Sequence, residues 1–298
     1  MPDILILGAS SYLGTSVFDH LKNKAIGTFF NTQIKNGIQF NLQSSSIAKI
    51  PNIGQIKKAI IFFGAPKSLD RAYQMKEETA LLTSRLKSIL SELKKLNIKP
   101  VYISSDAVFG DNLGNCIETT KPKPAMAYGI HKLEIENFIK KNFRNFMILR
   151  PSKVYSSDPN QNSILKQWYN CLNQGKIITC AIDYKTSPID NDNLAKAIVK
   201  ATTKDLNGVF HAAGPVSLTY LELLDVFLTC LEVPKNYRNI NPVLINQLSS
   251  EEYRPTNNSL ISDKLFNILN MNRYTPEQVC KRFVKKITSP NNLGNKKF

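Results

Sequence analysis

Three residues in this chain could together carry out carbonyl chemistry: a serine at the end of an apolar run, and a tyrosine and lysine four residues apart. Residues 101–110 read Val-Tyr-Ile-Ser-Ser-Asp-Ala-Val-Phe-Gly, and Tyr128-Gly-Ile-His-Lys132 follows. On a helix, a spacing of four puts Tyr128 and Lys132 one turn apart on the same face. A free tyrosine titrates at about 10, and an ammonium one turn away favours the phenolate and lowers that value. The phenol can then exchange a proton with a substrate oxygen. A serine hydroxyl on the neighbouring strand end can hydrogen-bond to the same oxygen. Tyr-x-x-x-Lys alone is a common surface pair, so the weight lies in its company.

That company includes a glycine turn, Gly8-Ala-Ser-Ser-Tyr-Leu-Gly14, directly after the first apolar run. In a dinucleotide fold such a turn lets backbone N–H groups at a helix N-terminus, here around Ser10, Ser11, Tyr12 and Leu13, meet a pyrophosphate. Gly8 would supply the tight turn and Gly14 the close helix–strand packing. Ser11 stands where the middle glycine of the spacing is expected. About 20 residues on, NAD binders place an acid against the ribose 2′-hydroxyl. Here the second strand ends Phe29-Phe30-Asn31-Thr32, and the nearest charge is Lys35. With no carboxylate at Asn31 to repel a 2′-phosphate, NADPH is favoured, with NADH still possible. Asn41 and Leu42, ending the third strand, are placed to border the adenine. Plain turn chemistry is the competing account of these loop residues.

The elements that must position these groups alternate. Strands are expected over residues 3–7, 25–30, 38–42, 59–63, 100–104 and 145–150, and helices over 14–24, 70–96 and 127–141. Strands joined by crossover helices predict an α/β fold with a doubly wound, parallel, Rossmann-type sheet. Open sheets of this kind bind ligands at the carboxyl ends of their strands, where Ser105 lies. Residues 1–155 are expected to form the dinucleotide-binding domain, with 189–212 returning to it. Residues 156–298 then form mainly a smaller C-terminal, substrate-binding part.

Composition narrows the function classes. The 298 residues carry 39 Lys and Arg against 23 Asp and Glu, a net charge of +16, with 42% apolar and 21% charged residues. Those fractions exclude a disordered or fibrous chain. A spanning helix needs about 20 mostly apolar residues, and none is present; nor is there a basic-then-apolar signal segment. A cytoplasmic globular protein is expected, with no membrane partner. The lysines occur as separated pairs such as Lys94-Lys95 and Lys140-Lys141, without an aromatic-interleaved block. Nucleic acid is therefore not the expected partner, whereas small polyanions suit the charge. Five dispersed cysteines without a C-x-x-C pair read as reduced core thiols. The scattered His20, His131 and His211 read as structural or surface residues, and no carboxylate cluster argues for a metal.

Taken together, the motifs resemble the extended short-chain dehydrogenase/reductases, and within them the dTDP-4-dehydrorhamnose reductase family. The resemblance covers most of the chain. Besides residues 8–14, 102–111 and 127–132, it includes Ile148-Leu-Arg-Pro-Ser-Lys-Val-Tyr155, Ile182-Asp-Tyr-Lys-Thr-Ser-Pro188, Asp192-Asn-Leu-Ala195, Gly208-Val-Phe-His211 and Arg254-Pro-Thr-Asn-Asn-Ser-Leu260. It implies NADP(H)-dependent reduction of the C4 carbonyl of a nucleotide-linked 4-keto-6-deoxy sugar, as in dTDP-rhamnose and polysaccharide biosynthesis. Tyr128 then matches the proton donor, Lys132 its partner that also holds the nicotinamide ribose, and Ser105 the residue that orients the carbonyl. Asp106, Ala107, Lys153 and Arg254 fall where the nucleotide sugar would lie, and a homodimer is compatible with the reading.

The chain departs from the family pattern at three single positions and one four-residue stretch. Ser11 replaces a glycine, and Thr79 replaces a common asparagine. Phe62-Phe63-Gly64-Ala65 replaces Asn-Ala-Ala-Ala along the cofactor. Lys153 stands where an aromatic ring often faces the sugar. The related 4,6-dehydratases carry Asp-Glu where this chain has Asp106-Ala107, which argues against dehydration. A nucleotide-sugar epimerase, or a non-catalytic subunit like the regulatory subunit of methionine adenosyltransferase, remains an alternative on the same scaffold.

Overall fold

The computed structural model describes residues 1–62, 69–110, 113–248 and 251–289. The chain opens β1 (Ile4–Leu7), α1 (Tyr12–Leu21), β2 (Ala25–Phe29), β3 (Ile38–Gln39) and β4 (Lys58–Ile61). It continues α2 (Leu69–Gln74), α3 (Lys76–Lys95), β5 (Lys99–Ile103), α4 (Ala127–Asn142) and β6 (Met147–Pro151). Then come β7 (Val154–Tyr155), α5 (Ile164–Asn173), β8 (Ile178–Ala181), β9 (Lys185–Thr186), β10 (Ile189–Asp190), α6 (Asn191–Thr203) and β11 (Gly208–Ala212). The remainder is β12 (Leu218–Thr219), α7 (Tyr220–Cys230), β13 (Ile240–Val243), α8 (Asp263–Leu269) and α9 (Pro276–Ile287).

Seven strands form one sheet in the order β11-β6-β5-β4-β1-β2-β3, all paired parallel. The order reverses between β1 and β4. Such a switch point opens the crevice in which doubly wound sheets bind ligands. The alternation of β1 explains its two-sided burial: Ile4 and Ile6 join one core with residues of α1, α6 and α8. Leu5 and Leu7 join the other, with Leu86, Ile89, Leu90 and Leu93 of α3. Each such side chain contributes about 1.5–3 kcal/mol when fully buried. A third core holds Trp168 of α5, Phe227 of α7 and Phe283 of α9, so the smaller layer has its own apolar centre.

Several boundaries differ from expectation. The helix expected over 70–96 is two helices, because Met75 between α2 and α3 adopts φ −112° and ψ 62°. The third strand stops at Gln39 rather than 42, and the first helix gives way to a 3₁₀ turn at Lys22–Lys24. Residues Phe63, Gly64 and Ala65, expected along the cofactor, lie outside the described residues. All five cysteines are free thiols, with Cys116, Cys180 and Cys280 buried. Among the described residues no helix is long and apolar enough to cross a membrane.

Candidate active site

The glycine turn is built as its sequence requires. Gly8 adopts φ 86°, where a residue without Cβ is unstrained, and its N–H donates to Thr28 Oγ1 at 3.1 Å. A Cβ on Gly14 would stand 2.3 Å from the Gly8 carbonyl oxygen. Ser11 has a positive use: it is the N-cap of α1, its Oγ accepting from the Gly14 N–H at 3.1 Å. The first N–H groups of α1 have no acceptor within the helix. The Ser11 N–H, just before them, donates to the Gly8 carbonyl at 3.1 Å, and a helix start of this kind favours an anion. Tyr12 faces the smaller layer, where it lines a cavity with Tyr184 and Tyr220.

Asn31 lies just past the carboxyl end of β2. The Asn41 carboxamide accepts from the Gln43 N–H at 2.9 Å, and Arg85 Nε donates to the Leu42 carbonyl at 3.3 Å. Lys35 departs from expectation. It lines a groove with Lys22, Asn23 and Ala25 at the amino end of β2, the opposite end of the strand from Asn31. The loop reverses between them, so Lys35 is no partner for a phosphate at the switch point.

Ser105 lies two residues past β5 and caps a 3₁₀ turn, Asp106–Val108, its Oγ accepting from the Ala107 N–H at 3.1 Å. Tyr128 and Lys132 project from α4, whose first turn presses on that 3₁₀ turn. A Cβ on Gly129 would stand 1.9 Å from the Ala107 carbonyl oxygen, so glycine is what lets the phenol reach the serine. The Ser105 hydroxyl and the Asp106 carboxyl both act on the Tyr128 phenol. Glu252 Oε1 of the smaller layer accepts from the Ala127 N–H at 2.5 Å, and a carboxylate suits this positive helix end. Replacing Gly129 with alanine should cost about 1–3 kcal/mol, as overpacking does, and lower turnover by separating Tyr128 from Ser105. Thermal unfolding and turnover of the variant check this; wild-type values for both would refute it.

Lys132 is 3% exposed. Its Nζ donates to the Ile103 carbonyl at 3.0 Å and lies 4.9 Å from the Tyr102 ring centroid and 5.6 Å from that of Tyr128. Burial pushes its ammonium down to about 7, against the pull of Glu136. Here the structure corrects the sequence argument. The Tyr128 phenol is pushed above its ordinary value, first by burial and then by Asp106, with Ser105 alone opposing. Desolvation outweighs a lysine that is itself bound to a carbonyl.

Beneath these groups lies a polar cluster with no precedent in the sequence reading. Glu136, fully buried, accepts from Ser104 Oγ at 2.7 Å and from Arg150 Nε and Nη2 at 2.9 and 2.6 Å. Arg150 Nη1 stands 3.4 Å from His211 Nε2, and burial pushes that imidazole down to about 4. A helical period of four from Lys132 to Glu136 was the available signal. The cluster ties down the chain just past β5 through Ser104, the residue before Ser105.

Above lies a cavity of about 460 Å³ lined by Tyr12, Lys153, Tyr184, Tyr220 and Arg254, among others. Asp106 is 8% exposed and lies close enough to this cavity for its charge to reach Lys153, Tyr184 and Tyr220 of the lining. Lys153 and Arg254 are thus brought to one chamber, and Lys153 Nζ lies 5.9 Å from the Tyr220 ring centroid. The two tyrosines were not singled out from sequence, since α7 and the loop before β9 meet only in the fold. A basic depression of about 590 Å³, lined by Lys94, Lys99, Lys140, Lys141 and Arg144, lies at the amino ends of β5 and β6, away from this chemistry.

Residues 1–289 match the family model described as the RmlD substrate binding domain. The chain belongs to that family. A dTDP-4-dehydrorhamnose reductase from Sinorhizobium fredii is 24% identical over 216 residues, 69% of this chain and 72% of that protein. A hypothetical dTDP-4-dehydrorhamnose reductase from Sulfolobus tokodaii superimposes with a TM-score of 0.78 at 24% identity, covering 92% of this chain and 97% of its own. The dTDP-4-dehydrorhamnose reductase of Bacillus anthracis in complex with NADP does so with a TM-score of 0.79 at 19% identity, covering 96% and 99%. At these identities the two structures establish the RmlD-type fold.

Proposed function

We propose that this chain reduces the C4 carbonyl of a nucleotide-linked 4-keto-6-deoxy sugar with NADPH, as dTDP-4-dehydrorhamnose reductases do. The observation that carries it is the grouping of Ser105 and Asp106 against the Tyr128 phenol, with Asp106 also reaching Lys153, which lines one chamber with Arg254. The cofactor fits these residues: Gly8 and Gly14 let the chain approach closely at the start of α1, and the Lys132 ammonium lies at the carboxyl end of β5 beside the Tyr102 and Tyr128 rings. A nicotinamide bound there supplies the hydride. Tyr128 gives its proton to the oxygen that becomes negative, and Ser105 steadies that oxygen. Lys132 holds the cofactor ribose and sets the charge beside Tyr128. Arg254 takes the diphosphate and Lys153 borders the sugar, with Asp106 and Ala107 beside Tyr128. Ala107 offers no second carboxylate for dehydration. We further propose that residues 1–155 with 189–212 hold the cofactor, that the remainder holds the sugar nucleotide, and that the enzyme works in the cytoplasm, as a monomer or homodimer, supplying polysaccharide synthesis.

Oxidation of NADPH against dTDP-, UDP-, GDP- and CDP-linked 4-keto-6-deoxy sugars is the deciding experiment. One NADPH consumed per sugar supports the reductase; catalytic use would indicate an epimerase, and no turnover, with co-purification of a larger enzyme, a binding subunit. Because Asn31 carries no charge to repel a 2′-phosphate, NADPH should bind at least as tightly as NADH. Titration of both into the protein checks this, and a clear preference for NADH would count against it. Lys153→Trp should change the ranking of sugar nucleotides by KM while NADPH affinity stays put; an unchanged ranking would remove Lys153 from the sugar site.

A further inference from the structure

Asp106 is held by more groups than a surface carboxylate needs. Ser105 Oγ stands 2.9 Å from its Oδ1. Ser152 Oγ stands 3.4 Å from its Oδ2 and 2.9 Å from Thr186 Oγ1. The Ala107 N–H faces it from its own turn, Tyr128 from α4, Lys153 from the loop after β6, and Tyr184 and Tyr220 from the smaller layer. Ser105 lies between Asp106 and Tyr128 and has a single hydrogen to give.

That single hydrogen makes the chain directional. An ionised carboxylate only accepts, so with Asp106 charged the Ser105 hydrogen points at Asp106, and Tyr128 donates toward Ser105. With Asp106 neutral, its carboxyl donates to Ser105 Oγ. The Ser105 hydrogen, and that of the phenol, then become available to a substrate oxygen. We propose that Asp106 is a positioning residue whose protonation sets the direction in which Ser105 donates, so that carbonyl reduction is fastest with Asp106 as the neutral acid. An ionised Asp106 also sets negative charge beside an oxygen that is gaining negative charge, an effect of the same sign. Burial pushes this carboxyl up to about 6, against the pull of Ser105, Lys153 and Ser152, which brings the switch into a range where the protein can be assayed.

The proposal rests on the reductase reading, so its test has an arm that needs no substrate. In infrared difference spectra of the whole protein, the neutral carboxyl band of Asp106 should disappear as pH rises through about 6 and be missing from Asp106→Asn. Ser105→Ala removes a donor to the carboxylate, so the midpoint should move up. A carboxyl ionised throughout, or a midpoint unmoved in Ser105→Ala, would overturn the proposal. In the kinetic arm, kcat/KM of the wild type should fall across that midpoint by about 10²-fold, the loss typical of one misdirected oxyanion donor. Asp106→Asn, whose amide always donates to Ser105, should lose this step and keep any separate step due to Lys132. The same step in both proteins would also overturn the proposal. Absence of turnover on every keto sugar would instead defeat the reductase reading, leaving the infrared arm to decide the role of Asp106.

Discussion

Tyr128→Phe should lower turnover by about 10²- to 10⁴-fold, the usual contribution of a positioned general acid, while NADPH affinity and fold survive. The substitution deletes one hydroxyl and keeps the ring that lies beside Lys132. Lys132→Ala should behave differently, weakening turnover and NADPH binding together, since the same ammonium serves the phenol and the ribose. Ser105→Ala should lower turnover with little change in cofactor affinity. Measuring turnover and NADPH affinity for the three variants yields a pattern that an incidental Tyr–Lys pair cannot produce. Full activity of Tyr128→Phe on a verified substrate would defeat the mechanism.

The second large effect concerns stability. Glu136→Ala should destabilise the fold by about 3–5 kcal/mol, because it leaves a buried guanidinium unpaired. Arg150 is 1% exposed and has no solvent to replace the carboxylate. Burial works to raise the Glu136 carboxyl, but the hydrogen bonds and charge of Arg150, with Ser104 and Lys140, hold it below its ordinary value. A carboxyl depressed in the folded state stabilises above its unfolded value, about 4.3, and that contribution fades as pH falls through the folded one. Denaturant titrations should therefore show a wide gap between wild type and Glu136→Gln at neutral pH, narrowing in acid. A gap independent of pH would mean that the ion pair is not its source.

What sequence revealed here follows the range of the interactions involved. The Tyr128–Lys132 face and the Gly8–Gly14 turn depend on local periods, and both are built as read. The break at Met75 carries no glycine or proline to announce it, so one long helix was the natural reading. Lys35 was misplaced because loop direction between β2 and β3 is a tertiary matter. The protonation of Tyr128 failed for a related reason: a charge one turn away is visible in sequence, but desolvation by distant segments is not. Glu136, Arg150 and His211 sit 14 and 61 residues apart along the chain, a separation no local pattern spans. Tyr184 and Tyr220 meet over Asp106 only once the smaller layer has docked.

The packing of α8 has a consequence for how the chain is made. Leu265, Phe266 and Leu269 belong to the apolar core that Ile4 and Ile6 open, and α8 packs on β11 and α6, so a core begun by β1 is completed only by a helix made much later. At about 5–20 residues per second of synthesis, the wait is on the order of tens of seconds. During that interval the part of the core beneath α8, at the β11 edge of a parallel sheet, stands open, in a form prone to association. Its yield in a cell should then depend on chaperones that hold nascent chains, and slowing translation before codon 263 should lower soluble yield without altering the finished enzyme.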